Sequence, residues 1–351
     1  DEGLYTVGPS AREPGPGAMS DPRAVRCGTS NVCSFWVFGT QVYATRHDLA
    51  GTVVGPTNVP LLSSPVYDVA SLGTYLVLAY QQGTRVYVTF YNPATMIAQS
   101  TTSFPATTSY LRVVIDASYA WVYTLEGSWV RRYRISLSPG VGWDGATRNV
   151  VLTDIPFDVV ASSATWHYVS SVNPLVHNAV YLTAVSNADV IDSATVTTAP
   201  AGSTLRDPTL GVGGGSYLVA WAENGAAVAN RRVRVSQRYG FAGAQSIFTL
   251  RTGYTTNDLT SSQDLAMDLQ YRGDNTFLLS SIETASGTSA GEVRAYDIQV
   301  SPTGRSISAY TVEPLASAYH GAPVIGLTGR PDLIFYRSPS GSQASRRPLG
   351  C

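Results

Sequence analysis

Apolar residues along this chain alternate with polar ones over short runs and seldom recur at helical spacing. "YLVLAY", "TRVYVTFY", "VRRYRI", "RRVRVS" and "EVRAYDIQV" are rich in Val, Ile, Tyr and Thr, which suit a pleated, half-buried surface. Clusters of Gly, Ser, Asn and Pro separate the runs and mark turns. No stretch keeps apolar positions at i, i+3, i+4 and i+7 through three turns. The pattern predicts an all-β chain with little or no helix.

The runs also come in sets. "SDPRAVRCGTSNVCSFWVFG" from Ser20 and "RDPTLGVGGGSYLVAWAENG" from Arg206 share one order: Asp-Pro, an apolar strand, a small-residue turn, an aromatic strand, Gly. "YDVASLGTYLVLAYQQGTRVYVTFY" from Tyr67, "FDVVASSATWHYVSSV" from Phe157 and "QDLAMDLQYRGDNTFLLSSI" from Gln263 repeat it with Asp but without the Pro. The unit from Leu111 puts Arg112 at the Asp position, and the unit from Gly321 lacks the Asp. Units therefore begin near residues 21, 68, 112, 158, 207, 264 and 322, spaced by 44 to 58 residues, enough for three or four strands each. The seventh unit has room for three strands only. "GLYTV" at residues 3–7 is a strand without a unit of its own, and it is expected to supply the fourth. A ring made from one chain must join its ends, because open backbone donors there are costly.

This arrangement resembles the seven-bladed β-propeller superfold over essentially the whole chain: four-stranded antiparallel blades in one domain, with three strands plus the N-terminal one in the last. The unit is also similar to repeats in large secreted proteins of GC-rich bacteria such as myxobacteria. No WD dipeptide series, kelch double-Gly pattern or sialidase-type Asp box is present. The propeller resemblance implies that the first strand of each unit lines a central channel. It also implies that the starts of those strands open on the ligand face.

On that rim, Asp21, Asp68, Asp158, Asp207 and Asp264 would converge, with Arg112 breaking the ring. Such carboxylates could accept sugar hydroxyls. They could instead hold Ca²⁺, with Asp68, Asp207 and Asp264 as its ligands, since that ion takes many oxygens. Alternatively each Asp caps its own turn through a backbone N–H. Trp143 with Asp144, in the Gly-rich "PGVGWDGATR", is a candidate sugar-stacking or partner-binding pair, or else a tucked-in loop anchor. Trp36, Trp121, Trp166 and Trp221 fall in second strands and are expected in the core. Arg131, Arg132 and Arg134, and Arg231, Arg232 and Arg234, fall in third strands, where they either bind anions or protect solvated edges. "GTSAG" around Ser289 fits a nucleophile motif only by spelling, because it joins two strands rather than a strand and a helix.

Composition narrows the setting. Net charge is −1, so bulk charge draws the chain to neither nucleic acid nor an anionic membrane. No run of 18 apolar residues is present to span a bilayer as a helix. All 23 basic residues are Arg, as a GC-rich genome would favour. Residue 1 is Asp and no signal peptide is legible, which implies a removed leader or a trimmed chain. Cys27 and Cys33 flank a five-residue turn and are expected to form a disulfide, which suits an extracytoplasmic protein. Cys351 is left over and could pair between chains. No cofactor motif is legible, Ca²⁺ apart.

Three functions fit. The first is an exported, non-enzymatic binding module that recognises carbohydrate or a protein surface through one face. The second is a structural subunit of a cell-surface assembly. The third is a polysaccharide hydrolase or lyase, which needs two rim carboxyl groups roughly 5–10 Å apart.

Overall fold

The computed structural model describes residues 6–7, 11–15, 19–138, 140–162, 165–256, 266–285, 290–317, 324–326, 332–337 and 344–350. Seven antiparallel sheets follow one another along the chain. Blade 1 is built from Ser20–Arg26, Asn31–Phe38, Gln41–Asp48 and Val59–Ser63. Blade 2 is built from Tyr67–Leu72, Tyr75–Gln82, Arg85–Tyr91 and Ala98–Pro105. Blade 3 uses Leu111–Ile115, Tyr119–Glu126, Trp129–Ser136 and Trp143–Leu152. Blade 4 uses Asp158–Ala161, Trp166–Val172, Ala179–Ser186 and Ile191–Thr198. In blade 5 the strands are Ser203–Gly213, Ser216–Gly225, Arg232–Tyr239 and Gln245–Thr252. In blade 6 they are Met267–Gly273, Thr276–Ala285, Ala290–Ser301 and Gly304–Ser317, with Tyr254–Thr256 pairing beside the first. Within each sheet the order in space follows the order in sequence, first strand innermost.

Blade 7 holds Val324–Gly326, Asp332–Arg337 and Ala344–Gly350, and the chain's start completes it. Thr6 and Val7 pair with Gly350 and Leu349, and Ala11 and Arg12 pair with Arg346 and Ser345 on the same strand. The all-β, seven-bladed reading and its three-plus-one closure are therefore what the structure contains.

Each blade interface has its own apolar core. Leu78 and Tyr67 pack against Phe35 between blades 1 and 2, for instance, and Phe277 packs with Leu218 between blades 5 and 6. At the closing interface, among the described residues, Met19, Val32 and Trp36 meet Leu333 and Phe335. Alternation explains why second strands supply the large side chains, since both of their faces meet a neighbouring blade. Trp36, Trp121 and Trp221 are buried there, and Trp166 is half-buried. Tight turns link the strands. Gly83, at φ +60°, lies in the two-residue turn between Gln82 and Arg85, where a Cβ would be strained.

The Cys27–Cys33 disulfide crosses the first hairpin of blade 1. Among the described residues, no helix is long and apolar enough to cross a membrane. Ser289 and Cys351 lie outside the described residues. The strands flanking Ser289 form an antiparallel hairpin, not a strand-to-helix elbow.

Candidate functional site

An innermost strand has one edge without a partner in its own sheet, so its backbone donors need acceptors from elsewhere. Here the neighbouring blade provides them. Asp68 Oδ2 accepts the Val113 N–H at 2.8 Å, and Asp158 Oδ2 accepts the Leu210 N–H at 3.1 Å. Thr209 Oγ1 accepts the Leu269 N–H at 3.2 Å, and Asp268 Oδ2 accepts the Ile325 N–H at 2.8 Å. In each case the donor follows the next blade's own equivalent residue. The equivalent positions around the channel are therefore Arg23, Asp68, Arg112, Asp158, Thr209, Asp268 and Val324.

Four of these residues form a chain of alternating charge. Arg23 Nε lies 3.0 Å from Asp68 Oδ1. Arg112 reaches Asp68 at 3.4 Å and Asp158 at 2.7 Å. The Thr209 hydroxyl donates to Asp158 at 2.8 Å. Burial works against the Arg112 charge, but Asp68 and Asp158 together push its pKa above the ordinary arginine value. Arg112 does not break a ring of carboxylates; it ties two of them together. Asp268 stands apart from the arginines, with Gln270 donating to it at 2.9 Å. Burial, assisted by the Asp158 charge, raises its pKa to about 6.

Asp21 and Asp207 do not belong to this layer. Both precede a Pro, both have positive φ (49° and 53°), and both sit where the first strand bulges against the second. Their job is local. The Asp21 side chain accepts from Ser20 at 3.2 Å and its carbonyl from Tyr67 at 2.6 Å. The Asp207 carboxylate takes the Thr256 hydroxyl and lies beside Arg206. Asp264 lies outside the described residues, and the blade-6 member of the layer is Asp268. Among the described residues, no group of three or more His, Cys, Asp and Glu side chains is placed to hold a metal ion.

A channel cavity of about 350 Å³ runs from this layer to Arg26, Ser71, Ile115 and Ala161 at the strand ends. It lies toward the turns between first and second strands, here called the lower face. The upper face carries the starts of the first strands and the turns between second and third strands. The cavity is thus on the opposite side from the face that the propeller resemblance implies.

Trp143 is half-buried at the start of its strand. Its ring centroid lies 6.0 Å from that of Phe104 and 6.1 Å from that of Tyr133, and its indole N–H donates to the Ala146 carbonyl. Asp144 accepts from Arg134 at 2.6 Å. Arg132 and Arg134 do share one face, with their guanidinium groups 4.3 Å and 5.9 Å from the Trp121 ring centroid, while Arg131 pairs with Glu126. Arg132 is buried rather than solvated.

Two further buried clusters join blades. Asp116 accepts from the Trp121 indole at 2.6 Å and lies 3.4 Å from His167, whose other ring nitrogen meets the Tyr123 hydroxyl at 2.7 Å. Burial holds the His167 pKa below its ordinary value. Glu13, in the segment leading to blade 1, bonds Ser34, His47 and Arg346, so it links blade 1 to blade 7.

No protein-family model matches the chain, and no curated protein does. Solved structures do. Hydrazine synthase of Kuenenia stuttgartiensis is 12% identical with a TM-score of 0.55, covering 93% of this chain and 95% of that one. BamB from Moraxella catarrhalis is 9% identical with a TM-score of 0.50, covering 99% and 100%. The WD40 domain of Toxoplasma gondii coronin is 9% identical with a TM-score of 0.51, covering 98% and 87%. At these identities the likeness is one of fold.

Proposed function

We propose that the chain is an exported, non-enzymatic binding module that holds a protein partner on its upper face. One observation carries this reading: the blade-4 turn presents Leu175, 86% exposed, on a fixed backbone. Asp154 accepts the Leu175 N–H at 3.0 Å and meets His177 at 2.7 Å. The Asn173 side chain accepts the N–H groups of Asn178 and Ala179. Leu175 itself has φ +71°, a costly conformation for a bulky residue without a compensating role. Val176 beside it, Trp129 and Leu152 on blade 3 and Val228 on blade 5 are also exposed on this face. An apolar side chain on a pre-ordered backbone loses little entropy on binding.

The channel chemistry supports the same reading. A glycosidase needs one carboxyl group to give a proton and another to attack or activate water. Asp68 and Asp158 share one arginine and each caps a neighbouring strand. The disulfide is compatible with an extracytoplasmic setting. The test is affinity capture from cell-envelope extract with the wild type and a Leu175→Asp/Val176→Asp variant of unchanged melting temperature. Specific partners are expected to be lost in the variant. Capture of the same proteins at the same yield by both would remove the reading.

A further inference from the structure

A second cleft lies on the lower face, between blades 2 and 3, with a volume of about 320 Å³. That is the small end of the ~300–1,000 Å³ range of small-molecule sites. Tyr75 and Phe90 supply aromatic side chains to its lining, and Val141 of the blade-3 loop lines it too. Ser100, Thr102 and Ser138 add hydroxyl groups, and Gln99 adds an amide. Among the described residues, no charged side chain lines the cleft. Among the described residues, the Tyr75 hydroxyl, the Gln99 amide and the hydroxyls of Ser100, Thr102 and Ser138 bond to no other protein group.

The wall is built, not incidental. The blade-3 loop comes so close to blade 2 that a Cβ on Gly142 would lie 2.5 Å from Thr102 Oγ1, and Gly142 has φ +69°. The Gly142 carbonyl accepts the Ser136 N–H at 3.0 Å, and the next residue, Trp143, packs its ring against Phe104. A glycine is required here for two reasons, conformation and space.

We infer that this cleft binds a neutral saccharide of one or two rings. A pyranose has an apolar C–H face and a rim of hydroxyls. Tyr75, 39% exposed at the mouth, offers a face for stacking. The surrounding amide and hydroxyls both donate and accept, as sugar hydroxyls need. An anionic sugar would find no cation here, and a hydrophobic ligand would leave the hydroxyls dry. The site rests on the binding-module reading but not on its protein partner, because the two sites are on opposite faces.

The experiment is a glycan array carrying neutral and uronic-acid oligosaccharides. Saturation-transfer NMR titration with maltose, cellobiose, lactose and N,N′-diacetylchitobiose follows. At least one neutral probe is expected to bind the wild type. Tyr75→Ala should weaken it by about tenfold or more, as loss of a stacked aromatic anchor does. Thr102→Val, which keeps the shape of the wall, should weaken it less. Leu175→Asp should leave it unchanged, so failure of this site and failure of the protein-binding face are separately visible. No binding of any neutral glycan, a preference for uronic acids, or binding unaffected by Tyr75→Ala would overturn the inference.

Discussion

Arg112→Leu is the sharpest perturbation of the channel layer. It keeps most of the side-chain bulk and removes the charge that sits between Asp68 and Asp158. At an effective dielectric of about 20, unit charges separated by the two observed distances attract by about 5–6 kcal/mol each. Dehydrating the guanidinium offsets much of that. The loss on deleting one partner of a buried pair is therefore about 3–5 kcal/mol, because the carboxylates stay behind. Asp68 keeps Arg23, so Asp158 bears most of the damage. A 351-residue chain unfolds with an entropy of about 0.7 kcal/mol/K, which converts the loss to a fall of about 5 °C in melting temperature. Calorimetry of Arg112→Leu, Asp158→Asn and the double variant would measure it. The double variant is expected to melt above Arg112→Leu, since it no longer strands the Asp158 charge. A single variant within about 1 °C of wild type, or two losses that simply add, would refute this account of the channel.

Three other outcomes follow from the structure. Asp268, raised to about 6 from an ordinary 3.8, binds a proton more tightly folded than unfolded. Its contribution is full below about pH 4 and is lost as pH rises through 6, about 3 kcal/mol in all; Asp268→Asn should flatten that slope in urea melts run between pH 4 and 8. Burial opposes the Glu13 charge, but His47 and Arg346 outweigh it and hold the pKa below the usual range, so the closure weakens only as pH falls through that lowered value. Glu13→Ala should cost about 3–5 kcal/mol and speed hydrogen exchange along Ala344–Gly350 before other blades. Reducing the Cys27–Cys33 disulfide opens a loop of six-residue separation, and chain entropy sets the expected loss at about 2 kcal/mol, read as a lower melting temperature in reductant.

The blade count and the closing strand were legible because hydrophobic alternation and turn residues are local signals, repeated seven times. The channel layer was harder. The Asp-Pro pairs at residues 21 and 207 draw the eye, yet each marks a bulge that shifts the first strand by a residue. In "QDLAMDLQY" two Asp residues compete, and spacing from the preceding unit favours Asp264 over Asp268. The useful signal was the second strand. Arg23 lies opposite Phe35, Asp68 opposite Ala79, Arg112 opposite Tyr123, Asp158 opposite Ser170, Thr209 opposite Ala220 and Asp268 opposite Ser280, always eleven or twelve residues on. Counting back from the aromatic strand would have put Arg23, Thr209 and Asp268 in one set. Glu13 and the lower-face cleft left no such trace. Their partners come from distant segments, and a cleft of Ser, Thr and Gln reads as ordinary surface.

The pairing of Thr6–Val7 with Leu349–Gly350 also governs the order in which the molecule can be made. The two segments are more than three hundred residues apart, so Thr6–Val7 has no mate until Leu349–Gly350 has been made. Inner blades can assemble as they leave the ribosome, but the seam must wait. During that interval Thr6–Val7 lacks its ladder partner, and a chaperone or a second nascent copy could bind it first.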